Sequence, residues 1–143
     1  MQVPTVSTLI DNVSRDLDPR GEILSIVDEA VQNVSIITCN PDTIRSNHYH
    51  FEDFHYMYVV EGEIDYFFCD VGSEELKYMK ITQGQTIFTP PNEIHATYFP
   101  INTKLVVSSG FARDEKTYEE DTVRVEFIND HNLDFHMKSY ARK

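Results

Sequence analysis

Three histidines fall within eight residues, His48, His50 and His55, and a fourth, His95, follows the turn Pro90-Pro91-Asn92. Neutral imidazoles suit zinc, iron, nickel and copper, with metal–nitrogen bonds of about 2.1 Å. On a strand, residues two apart point to one face, roughly 6.6 Å from each other. His48 and His50 can therefore converge on one cation. His55 lies an odd number of residues beyond His50, so an unbroken strand would aim it the opposite way. The intervening Phe51-Glu52-Asp53-Phe54 must bend to bring it back, and His95 must arrive from a distant strand. H-x-H alone is a weak signal, since scattered surface histidines produce it too.

Polar companions are few. Arg45 stands three residues before His48 and could grip a carboxylate or phosphate bidentately, or simply pair with surface acid. Glu93, two residues from His95, could act as an acid/base group or hold a ligand in place. The alternative is a solvated turn residue. His131 and His136 stand apart and read as surface residues.

The elements that must position these groups are strands. Short runs rich in Val, Ile, Tyr, Phe and Thr are predicted at 23–27, 34–39, 55–60, 63–69, 76–81, 85–89, 96–99, 104–109 and 122–128. Turn residues separate them, at Asn40-Pro41-Asp42, Glu61-Gly62, Val71-Gly72-Ser73 and Gln83-Gly84. Many short strands at this spacing predict an all-β sandwich or barrel. Helix signals are weak: Leu9, Ile10 and Val13 could share a face of a short helix, and 28–32 could form one turn. Asp18-Pro19-Arg20-Gly21 reads as a turn. The tail from Asp130 is ambiguous.

The chain has 143 residues, one domain's worth, with 41% hydrophobic and 25% charged residues. Twelve Lys and Arg against 24 Asp and Glu give a net charge of −12. Such a surface repels nucleic acid and anionic membranes. No Lys or Arg occurs between Ser46 and Leu76, where most of the proposed site lies. A diphosphate there would have Arg45 as its main counter-charge, which favours a neutral or weakly anionic substrate. Cys39 and Cys69 form no C-x-x-C, and the default is two buried reduced thiols in a cytoplasmic protein. Met1–Thr5 shows no signal-peptide pattern, and no apolar run has membrane-spanning length. The five glycines form no nucleotide-binding loop, and there is no G-x-S-x-G elbow.

With both histidine segments in place, the chain resembles the cupins, small double-sheet β-barrels. The first cupin motif reads here from Asp42 to Gly62 through His48, His50 and His55. The second reads from Gly84 through Pro90 and Asn92 to His95. The resemblance covers residues 21–112, and it implies a jelly-roll (double-stranded β-helix) barrel. Residues 1–20 would be an N-terminal extension, and 113–143 a C-terminal extension made of a strand and a tail. Asp42 and Asn92 stand where the family has Gly, and Asn is the next-best residue at positive φ. Phe99 stands at the second motif's final Asn. His55 stands at the usual Glu. Either it is a fourth neutral ligand, leaving the ion its full charge as a Lewis acid, or it packs.

The resemblance implies a divalent transition metal (Zn, Fe, Ni or Mn) on His48, His50, His55 and His95. With those histidines inward, strand parity brings Met57 and Val59 inward and turns Tyr56 and Tyr58 outward. Ile64, Tyr66 and Phe68 are the preferred inward set of the next strand, over Asp65, Phe67 and Cys69. Thr97 and Phe99 share the parity of His95. Candidate substrate-binding residues are thus Arg45, Met57, Tyr66, Phe68 and Phe99, with Glu93 the candidate catalytic group. For each aromatic the competing role is core packing.

Within the family, Arg45–His50 and Tyr118–Arg124 are similar to short cupins of sugar and cell-surface polysaccharide biosynthesis. That implies an enzyme acting on a small oxygenated substrate, a sugar derivative first, by isomerase or epimerase chemistry. An Fe(II)-dependent dioxygenase and a non-catalytic small-molecule or metal-binding module are the alternatives, because fold does not fix chemistry. Outward Tyr56 and Tyr58 and the family resemblance point to a homodimer.

Overall fold

A computed structural model describes residues 4–141. Met1–Val3, where the reading of the N-terminus begins, and Arg142–Lys143 of the tail lie outside the described residues. In chain order the strands are β1 Thr8–Ile10, β2 Ser14–Asp18, β3 Gly21–Ser25, β4 Asn33–Cys39, β5 Thr43–His50 and β6 His55–Glu61. They continue with β7 Glu63–Asp70, β8 Lys77–Thr82, β9 Thr86–Thr89, β10 Glu93–Phe99 and β11 Thr103–Ser109. Helix α1 (Glu115–Glu120), β12 (Thr122–Arg124), α2 (Leu133–His136) and a π-helical turn (Met137–Ala141) follow.

Two five-stranded antiparallel sheets, β1-β9-β6-β11-β4 and β12-β5-β10-β7-β8, form the jelly roll, and β2–β3 is a separate hairpin. The β1 and β12 strands lie in the sheets, so both segments read as extensions contribute edge strands. The inward faces meet in a core of Met57, Val59, Ile64, Tyr66, Phe68, Ile81, Ile87, Phe99, Leu105 and Val107. Both parity choices agree with this core. Phe67, of the other parity set, faces outward with Ala96 and Tyr98, under Ile128 and Met137 of the C-terminal segment.

Several expectations change. Leu9 and Ile10 lie on a strand, because the edge of β9 offers unpaired backbone groups that a three-residue segment can use. The region 28–32 is irregular, with Gln32 N–H bonded to the Ser109 carbonyl. Ser14–Asp18, not expected as a strand, pairs with β3 across the Pro19-Arg20 turn. The strand expected over 122–128 stops at Arg124. Beyond it, the Asn47 side chain takes both the amide and the carbonyl of Ile128, at 3.1 and 2.9 Å, in place of a sheet ladder. Tyr56 is only 9% exposed, against the rings of Phe54 and Phe88, so it is not a free surface aromatic. His136 is half-buried beside Phe67.

Left-handed residues set the turns around the histidines. Asp42 and Asn92 adopt φ of 61° and 60°, so both replacements for family glycines keep the glycine-like conformation. Gly62 (φ 93°) turns β6 into β7, and a Cβ there would strike Thr103 and Asn102.

Candidate functional site

Strand β5 carries a bulge just before the first histidine. Ser46 and Asn47 both have positive φ, 72° and 59°, and the register to β10 slips there. His95 pairs with His48, whereas Ala96 pairs with Ser46. A bulge re-aims the next side chain, and two consecutive non-glycine residues in this region store strain. Here the re-aimed side chain is His48, whose ring centroid lies 4.7 Å from His50 and 4.8 Å from His95.

His55 reaches the cluster by a route strand parity does not describe. Residues 51–54 carry the chain from one sheet to the other, so His50 and His55 face each other across the barrel, ring centroids 4.9 Å apart. Asp121 fixes the crossing: its carboxylate accepts the amides of Glu52 and Asp53, each at 2.9 Å. Asp53 in turn accepts the amides of Phe54 and Phe111.

Each of three imidazoles has one nitrogen engaged. His50 Nδ1 is 3.2 Å from the Thr122 hydroxyl, His55 Nδ1 is 2.9 Å from the Ser109 hydroxyl, and His95 Nδ1 is 3.1 Å from the Glu93 carbonyl. His50 Nε2 is buried without a hydrogen-bond partner. Anchored Nδ1 and free Nε2 is the pattern of metal-ligating histidine, so the donor set fits a divalent transition metal. Among the described residues, the group of His, Cys, Asp or Glu whose ligand atoms all lie within 4.8 Å of one another is His50, Asp53 and His55. His48 and His95 stand outside it.

Burial first, then neighbouring histidines, holds His48 at a pKa of about 2. Burial first lowers His95 to about 4 and holds His50 and His55 down as well. All four rings are neutral at neutral pH. Burial raises Asp53 and Tyr118, keeping the Tyr118 hydroxyl protonated.

A cavity of about 140 Å³ opens on the cluster. Its wall includes His48, His55, His95, Met57, Phe99 and Tyr118, with Arg45 and Arg113 also on it. Arg113 stacks over the Tyr118 ring at 5.4 Å. Tyr118 faces His50 and His48, at 5.5 and 6.3 Å between centroids. Arg45 also donates to the Thr38 carbonyl.

Tyr66, Phe68 and Glu93 do not line this cavity. Tyr66 is fully buried and lies parallel to His95, 6.2 Å away. Glu93 is no solvated turn residue: its buried carboxylate accepts the Ser7 amide and hydroxyl. Ser7 continues to the Tyr66 hydroxyl at 2.7 Å, and Tyr66 to Thr89 at 2.8 Å. Asp53, Arg113 and Tyr118 escaped sequence reasoning. Asp53 sits in the motif's variable gap, and the other two lie beyond both motifs, although Tyr118 opens the segment similar to sugar-biosynthesis cupins.

The family model for cupins matches residues 28–139. The chain belongs to the cupin family. A comparison with curated proteins finds no match. Among solved structures, this cupin is similar to a variant of the 3,4-ketoisomerase QdtA from Thermoanaerobacterium thermosaccharolyticum in complex with TDP-4-keto-6-deoxyglucose. The TM-score is 0.69 at 17% identity, over 96% of this chain and 99% of that one. It is also similar to a 3,4-ketoisomerase from Helicobacter canadensis (TM-score 0.68, 17% identity, 93% and 97% covered). A third is WlaRA, a TDP-fucose-3,4-ketoisomerase from Campylobacter jejuni (TM-score 0.67, 12% identity, 82% and 87% covered). At these identities the likeness is one of fold. No described helix is long and apolar enough to cross a membrane.

Proposed function

We propose that this cupin is a sugar isomerase that shifts a carbonyl between adjacent carbons of a nucleotide-linked keto-sugar. The observation that carries the reading is an acid–base pair on one cavity: neutral His48 beside protonated Tyr118, with two arginines on the same wall. The two rings lie 6.3 Å apart between centroids, so one small substrate can reach a proton acceptor and a proton donor together. The cavity is well below the ~300–1,000 Å³ of drug-sized pockets, so it suits a sugar ring with the nucleotide across the mouth. Arg113, which the sequence reading lacked, adds a second counter-charge to Arg45 and makes a diphosphate acceptable.

His48 takes the proton from the hydroxyl-bearing carbon next to the carbonyl while the Tyr118 hydroxyl donates to the carbonyl oxygen, giving an enediol. Negative charge developing on the substrate raises the proton affinity of His48 at that moment. Protonated His48 then returns its proton to the former carbonyl carbon, and the other enediol hydroxyl returns its own to Tyr118. The carbonyl has moved one carbon. The histidine cluster would also hold a divalent transition metal: the resemblance implies His48, His50, His55 and His95 as donors, and with His48 kept free as the base, His50, His55 and His95 are the rings left to hold the ion. When bound, such an ion polarises a substrate oxygen as a Lewis acid.

Incubation with TDP-4-keto-6-deoxyglucose in D₂O, followed by NMR, tests this. The expected result is a shifted carbonyl and deuterium on the accepting carbon. His48→Asn should slow turnover by about 10²–10⁴-fold. Absence of both conversion and exchange would sink the isomerase. The rival is an Fe(II) dioxygenase, favoured by the two-histidine, one-carboxylate group of His50, Asp53 and His55. Iron in the purified protein with substrate-dependent oxygen uptake would favour it.

The homodimer rests on the β2–β3 hairpin, which exposes Leu17 (71%) and Ile23 (66%). A lone two-stranded hairpin is marginal in water, and a second copy would cover it. Sedimentation of the protein and of Leu17→Asp/Ile23→Asp distinguishes dimer from monomer. Buried, unpaired Cys39 and Cys69 support a reducing compartment such as the cytoplasm.

A further inference from the structure

The four clustered histidines are not equivalent. His50 closes β5 in one sheet, His55 opens β6 in the other, and Asp53 stands on the crossing between them. All three are buried, and one ligand atom from each lies within 4.8 Å of the others.

Each residue has its second polar atom already occupied. Thr122 stands at His50 Nδ1, and Ser109 stands at His55 Nδ1. Asp53 Oδ1 accepts two backbone amides, from Phe54 at 2.8 Å and Phe111 at 3.0 Å. The atoms left over are His50 Nε2, His55 Nε2 and Asp53 Oδ2. His50 is 2% exposed, and its Nε2 has no partner at all. A buried polar atom in that condition calls for an occupant.

Asp53 Oδ2 lies 3.9 Å from His55 Nε2. That is too long for a hydrogen bond. It is close to the spacing of two donors on one ion, roughly 3.4 Å for bonds near 2.1 Å at a tetrahedral angle. A small side-chain rotation closes the difference. Engaging the distal atom of every ligand is how metal sites orient their donors. His48 and His95 also face the cavity but lie outside this group, and the His95 ring is 6.3 Å from that of His50, against 4.9 Å for His55.

We propose that His50, Asp53 and His55 bind a divalent first-row transition metal through His50 Nε2, Asp53 Oδ2 and His55 Nε2, with His48 and His95 outside its coordination shell. The inference rests on the reading of the cluster as a metal site and replaces its donor set. Two neutral rings and one carboxylate leave the ion a net positive charge and open positions. His48 stays free to exchange protons.

Cobalt(II) titration of the chelator-stripped protein tests it, read by visible absorption and by calorimetry without any substrate. The wild type should take one ion per chain. Asp53→Asn keeps an oxygen for the Phe54 and Phe111 amides but loses the anionic donor, and should weaken binding by at least ~10-fold. His50→Gln, which leaves the crossing loop untouched, should do the same, with thermal melts reporting that each variant is folded. His95→Asn should bind within about threefold of wild type. Unchanged affinity in Asp53→Asn, or a loss in His95→Asn equal to that in His50→Gln, overturns the proposed donor set while leaving a metal site. A wild type that binds neither cobalt nor zinc overturns the metal reading as well.

Discussion

Two neighbouring rows of one barrel wall divide the work. On the inner face of the first sheet, Thr89, His55 and Ser109 stand side by side across three strands. One pleat along, the same strands present Ile87, Met57 and Val107. The opposite wall repeats the contrast: His95 pairs with His48 near one end, whereas Ile64 pairs with Ile81 toward the other. A shift of two residues along a strand thus separates a row that holds polar atoms from a row that excludes water. Burying imidazoles is unfavourable unless their nitrogens are engaged, and Ser109, Thr122 and the Glu93 carbonyl supply the partners. The apolar row keeps the strands in place, so the polar row is presented on rigid elements.

The contrast breaks most heavily on the apolar side. Ile64 is completely buried in the core. Ile64→Ala removes methyl groups and leaves a cavity, which should cost about 2–5 kcal/mol. Denaturant melts measure it. Turnover per folded molecule should stay near wild type, the reverse of His48→Asn, which should lose activity with little loss of stability. A stability change below about 1 kcal/mol in Ile64→Ala would mean the barrel is not held by this row.

Tyr66 sharpens the comparison because it belongs to both rows. Its ring lies in the core and against His95, while its hydroxyl joins Ser7 to Thr89. Tyr66→Phe keeps the ring and deletes the link. Ser7 still reaches Glu93, but Thr89 loses its buried partner, so the expected cost is about 1–2 kcal/mol. A neutral substitution would mean that the chain of hydroxyls is incidental to stability.

The barrel was legible because its signals are local. Alternation of β-branched and aromatic residues marks strands wherever turns punctuate it, and parity from His55 located Met57 and Val59 correctly. The histidines were legible through spacing. What spacing could not express was connection through space. The route of His55 depends on residues 51–54 changing sheets. The aim of His48 depends on a bulge at Ser46 and Asn47, whose side chains look ordinary in sequence. Glu93 was misjudged because its partner Ser7 is 86 residues away. Asp53 looked like one acid among many in a basic-free stretch. Its two backbone partners, from Phe54 and distant Phe111, appear only in the fold. Helix α1 did carry a local cue, Asp114 accepting the Thr117 amide at its N-terminus, in a region read as strand and tail.

A histidine outside the site provides the smallest test. His55 has a hydroxyl on Nδ1, whereas His136, on the outer face beside Phe67 and Tyr140, has a buried Nδ1 with no partner. Burial lowers the His136 pKa from its ordinary 6.5. The unfolded chain therefore takes up a proton near pH 6.5 that the folded chain accepts only at lower pH. The contribution to stability is full above pH 6.5 and is lost as the pH falls below it, toward the lowered folded value. Partial exposure screens the ring, so the loss should stay under about 1 kcal/mol. His136→Phe fills the same aromatic site without titrating. Its stability relative to wild type should rise between about pH 7.5 and about pH 5, read from urea midpoints. If the difference is flat across that range, His136 is solvated in the folded protein and the outer face is looser there than its packing implies.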